Sequence, residues 1–96
     1  MSINPETIII KNKNLLDRDV KDGSVLYDIK KGNVHVLNSY ASFVWLSMED
    51  ECVFQDLVNS VKQELSDSQI DHNEKISELI KKFIYDGLIE IKNSES

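Results

Sequence analysis

The first third of the chain reads as short extended segments parted by turn signals, and then the period changes. Val25, Tyr27 and Ile29 fall on one face of an extended segment and Leu26 and Asp28 on the other, which predicts a strand over Ser24–Ile29. Ahead of it, Lys21-Asp22-Gly23-Ser24 carries the Asp-Gly signal of a hairpin turn, so Leu15–Val20 is expected to be its partner strand. Lys30-Lys31-Gly32-Asn33 predicts a second turn and Val34–Leu37 a third strand, which makes a three-stranded antiparallel meander. Thr7–Ile10 is short and β-branched, and within residues 1–13 the pattern allows either strand or flexible segment.

From Ala41 the period becomes helical. Ala41, Val44, Trp45 and Met48 lie at i, i+3, i+4 and i+7, behind Asn38 or Ser39 as the capping residue. The acidic run Glu49-Asp50-Glu51 interrupts the pattern and suits the positive N-terminal end of a following helix. Phe54, Leu57, Val58, Val61 and Leu65 then form a second apolar stripe, and Ser66–Gln69 is a polar linker. Asp71 followed by Glu74 resembles a capping box at the head of a third helix, whose core stripe is Ile76, Leu79, Ile80 and Phe83. Gly87 stands where a left-handed cap ends it. Leu88–Lys92 is a short strand or a packed end, and residues 93–96 are expected to be a frayed tail.

Three strands followed by three helices describe an α+β domain, winged helix-turn-helix-like, over residues 14–92. At 96 residues there is room for one domain with one modest core. The composition, 41% hydrophobic with three glycines and one proline, is that of a folded chain.

The net charge of −6 disfavours nucleic acid, because an acidic surface repels phosphates. The helix-turn-helix outline does not reverse this. Lys75, Lys81 and Lys82 of the third helix are outweighed by Asp71, Glu74, Glu78 and Asp86. No apolar run approaches the roughly 20 residues of a membrane span, and the N-terminus lacks the pattern of a signal peptide. Cys52 is the only cysteine, so no internal disulfide can form, and a cytoplasmic setting is expected.

Catalytic chemistry finds little support. Cys52 with His35 or His72 is the one nucleophile–base combination, but Glu49, Asp50 and Glu51 beside the thiol oppose its ionisation. Cys52 therefore reads as an ordinary small residue at a helix start. Two histidines and one cysteine far apart match no metal-ligand spacing, and glycine-rich phosphate-binding signatures are absent. An acyl-carrier domain would suit the acidity and size, but Asp67-Ser68 is followed by Gln69 and the first half is strand-rich. No enzyme activity, cofactor or metal is expected.

What remains is binding. A three-stranded meander leaves Val34–Leu37 at one edge, where a peptide could add as a fourth strand. The pattern leaves open whether Thr7–Ile10 covers that edge instead. A winged-helix regulator of protein or DNA is the alternative reading.

The order of motifs carries a resemblance. Gly23-Ser24-Val25-Leu26-Tyr27-Asp28, then Gly32, Val36-Leu37-Asn38, Ala41 and Val44-Trp45-Leu46, closely resembles the PqqD-like family. The acidic stretch, the helix of Phe54–Leu65, Ile76–Phe83 and the ending Asp86-Gly87-Leu88-Ile89 agree, so the resemblance covers about residues 22–89. These are precursor-peptide recognition elements of ribosomally made, modified peptides. The resemblance implies a domain that binds the leader segment of a precursor as a strand beside the third strand, against the third helix. The implied partners are that leader peptide and a modifying enzyme or leader protease.

Carried over, the template edge is Asn33, Val34, His35, Val36 and Leu37, with Leu37, Asn38 and Trp45 serving the fold more than contact. His35 departs from the aromatic or aliphatic residue more usual in relatives, and facing the groove it would read a polar or acidic leader side chain. Helical geometry adds Ile84 beside Ile80 as a candidate apolar floor, with Ser77 next to it and Lys81 further round; the plainer reading packs Ile84 on the sheet or tail. Lys75 and Lys82 lie on the opposite flank.

Overall fold

The computed structural model describes residues 3–66 and 69–92, so the tail 93–96 and part of the polar linker fall outside the account. Along the chain run β1 (Ile8–Lys11), β2 (Leu15–Val20), β3 (Gly23–Asp28), β4 (Val34–Asn38), α1 (Ser39–Ser47), β5 (Glu51–Val53), α2 (Phe54–Glu64), α3 (His72–Tyr85) and β6 (Ile89–Lys92). The fold is α+β, with antiparallel sheets and three helices.

The meander forms as the pattern predicts, in the order β2-β3-β4, with Val25 opposite Val36 and Arg18 opposite Val25. Its second turn is built by Asp28. The carboxylate accepts the backbone N–H groups of Lys30 and Lys31, each at 3.0 Å, and Asn12 Nδ2 donates to it at 3.5 Å. The Gly32 N–H closes the turn onto the Asp28 carbonyl at 2.7 Å, with Gly32 at φ +76°, a conformation that side chains with a β-carbon resist.

One face of this sheet packs on the helices, and it is the less apolar one. Leu26, Ser24 and Asp28 of β3 are buried, whereas Tyr27 and Ile29 are exposed. Ser24 explains part of this inversion, since its hydroxyl meets that of Ser42 on α1 in the interior and satisfies it.

A second sheet, in the order β5-β1-β6, was not expected as such. Ile9 lies at its centre, opposite Cys52 on one side and Ile91 on the other, and is fully buried. The N-terminal strand therefore does not cover the edge of the meander. It also corrects the reading of the acidic run, because Glu51 begins a strand rather than a helix N-terminus. The first amides of α2 are instead satisfied by the N-terminal segment: Phe54 N–H donates to the Thr7 carbonyl at 2.8 Å, and Gln55 N–H to that of Pro5 at 3.1 Å.

The other helix ends follow their sequence signals. Asn38 caps α1 by accepting the Ala41 N–H at 2.8 Å, and Asp71 caps α3 by accepting that of Glu74 at 3.2 Å. Gly87, at φ +77°, lets the Leu88 N–H reach back to the Phe83 carbonyl at 2.9 Å. Between the helices and the two sheets sit Val44, Trp45, Val58, Val61, Ile76, Ile80, Phe83 and Leu88. The Trp45 ring meets Phe83 edge-on at 5.6 Å, with Lys11 Nζ 4.5 Å from its centroid.

Candidate functional site

Among the described residues, no strand lies beside the outer edge of β4. The phase of its ladder follows from one hydrogen bond, Asp28 N–H to the Asn33 carbonyl at 2.8 Å, between residues that stand directly opposite. Since bonded pairs alternate along an antiparallel ladder, His35 and Leu37 turn their backbone groups inward to Leu26 and Ser24. Val34, Val36 and Asn38 turn theirs outward. Two successive outward positions, at Val34 and Val36, are about 7 Å apart, the repeat at which another extended chain presents its own groups.

Beside this edge runs α3, and between them lies a cleft of about 280 Å³. It is lined from β4 by residues 34–38, and from α3 by Leu79, Lys82, Phe83 and Asp86. A neighbouring depression of about 470 Å³ continues it past Asn38 and Tyr40 towards Lys75 and Glu78. The Lys75 ammonium rests 4.3 Å from the centroid of the Tyr40 ring. The apolar floor is thus narrow, and both signs of charge flank it.

Val34 and Val36 are exposed, His35 is half-buried and lines the cleft, Leu37 is buried, and Asn33 spends its carbonyl in the turn. On the helix the expected residues do not meet the strand. Ile80 is wholly in the core, and neither Ser77 nor Lys81 lines the cleft. Ile84 lines a separate hollow with Ile89 and Ile91 of the last strand. The stripe that faces β4 is the flank of Lys75 and Lys82. A helical repeat shows which residues point to the core, but not which flank of that stripe a distant strand will occupy.

The other reactive candidates have structural posts. His72 is buried, its Nε2–H donating to the Leu65 carbonyl at 3.1 Å while Nδ1 accepts the Tyr40 hydroxyl at 3.0 Å. Cys52 is half-buried in β5, and desolvation pushes its thiol pKa up, away from a reactive thiolate. Among the described residues no three His, Cys, Asp or Glu side chains converge as metal ligands, and no helix is long and apolar enough to cross a membrane.

Comparison with known proteins gives two findings. The family described as "Coenzyme PQQ synthesis protein D (PqqD)" matches residues 23–89, which include β3, β4 and all three helices. Among solved structures, the chain is similar to that of "TbiB1 in Complex with the TbiA(beta) Leader Peptide". The TM-score is 0.68 at 14% identity, over 84% of this chain and 94% of that one, a likeness of fold. No curated protein matches the chain.

Proposed function

This chain belongs to the PqqD family, and on that premise we propose that it binds the leader segment of a ribosomally made precursor peptide by strand addition. The observation that carries the reading is the β4 edge, which no strand among the described residues covers, with outward backbone groups at Val34, Val36 and Asn38, beside a cleft walled by α3. The similarity to a protein solved with a leader peptide supports it.

In this reading the leader lies along residues 33–38, and its side chains on one face descend to Leu79 and Phe83. Lys82 and Asp86 stand where they can pair with leader charges, and His35 meets the leader from the strand side. Ile80 and Ile84 hold α3 from the core side, and Ser77 and Lys81 lie off the contact. Each well-buried apolar leader side chain contributes roughly 1.5–3 kcal/mol, so two anchors and the backbone ladder suffice for useful affinity.

The chain itself is not catalytic in this proposal. It presents the precursor in the cytoplasm to a modifying enzyme or leader protease, and raises the local concentration of the core segment there. Titration of the isotopically labelled chain with the leader of a precursor encoded beside its gene tests the reading. Amide shifts should concentrate at residues 33–38 and on the Leu79–Asp86 flank of α3. A saturating leader that leaves those amides unmoved sinks it.

A further inference from the structure

The exposed face of the β2-β3-β4 sheet is the least explained surface of the molecule. Leu16, Val20, Tyr27, Ile29, Val34 and Val36 are 59, 45, 42, 54, 59 and 74% exposed; the five strand residues share one side of the alternation, and Ile29 follows in the turn after β3. They make up all but two of the large exposed apolar residues among those described. Together they present roughly 600 Å² on one side, the upper end of what a monomer's largest apolar patch reaches. Strands with one buried face normally place their more apolar side inward. Here Leu26 and Asp28 go in, and Tyr27 and Ile29 stay out.

We propose that this face is covered by the same face of a second copy of the chain, sheet on sheet. Two copies would remove roughly 1,200 Å² from water, the lower end of a specific interface and the range of a weak, reversible dimer. Flat apolar faces of this kind pack about 10 Å apart with their strands nearly aligned. Charge points to the same surface. Each copy carries −6, so most approaches between copies are repelled. This face bears no carboxylate, and its one charged residue, Arg18, sits on the edge strand β2, where it meets the negative field of the partner. The packing uses side chains only and leaves the outward backbone of β4 free. The inference therefore stands apart from leader binding.

Sedimentation equilibrium of the chain from about 10 µM to about 1 mM tests it. The mass should climb from 11.0 kDa towards twice that, and do so at lower concentration when added salt screens the net charge. Leu16→Glu and Tyr27→Glu lie on β2 and β3 and change exposed side chains, so circular dichroism should show the fold intact while the dimer is lost. A constant 11.0 kDa throughout overturns the proposal. So does a dimer that persists undiminished in both folded variants.

Discussion

Gly23 passes directly beneath the carbonyl of Leu37: a β-carbon on Gly23 would overlap that oxygen. The close approach brings the start of β3 against the end of β4, one residue before Asn38 caps α1. The strand edge and the first helix are therefore tied together at this point.

Gly23→Ala should separate the two strands there and cost roughly 1–3 kcal/mol, in the manner of an overpacked core. Urea unfolding measures the loss. Unchanged stability would mean that the backbone can open without penalty, and that the contact does not hold the edge in place.

Val36→Pro and His35→Pro separate the two sides of β4. The Val36 N–H faces outward, so proline there removes no ladder bond, while at His35 it removes the bond to Leu26. The Val36 variant should keep its melting temperature within a few degrees and lose leader affinity by about tenfold or more. The His35 variant should be the less stable of the two. Full leader binding by folded Val36→Pro excludes strand addition through that amide.

The two flanks of α3 should differ just as sharply. Leu79→Ala and Lys82→Ala are expected to weaken leader binding by roughly tenfold each, whereas Ser77→Ala and Lys81→Ala should change it less than twofold. Calorimetric titration of the four variants reads the difference. The reverse ranking would put the peptide on the flank that the helical stripe alone suggested.

Asp28 gives a pH signature. The backbone N–H of Lys31, then that of Lys30, hold its carboxylate below the usual range, and they outweigh the opposing effect of burial. Because the folded pKa lies below the unfolded one, this stabilisation is complete above the unfolded value of about 3.9 and is lost as the pH falls through the folded one. Denaturation curves taken from pH 6 downward should show that acid loss in the wild type. Asp28→Asn, which keeps an acceptor without the charge, should lack it.

Much of this was legible in the residues. Asp22-Gly23 and Lys31-Gly32-Asn33 placed the two hairpin turns, Asn38 and Asp71 marked helix starts, and Gly87 marked a helix end. Each signal works within a few residues, through a hydrogen bond or a backbone conformation that only certain side chains permit. Glu51-Cys52-Val53 carried no such signal. It becomes a strand because Ile8–Ile10 lies alongside it, more than forty residues away in the chain.

The three-stranded meander, the three helices, the caps of α1 and α3, the core stripes and the family pattern were thus determined by sequence alone, because all of them are local or periodic. Which side of the meander faces the helices, which flank of α3 faces Val36, and where Ile84 goes were decided by tertiary packing. Periodicity defines a face but not its neighbour. Leu26 is inside and Tyr27 outside because the buried Ser24–Ser42 contact and the Ile80–Phe83 core seat the helices on that side, a choice visible only when distant segments meet.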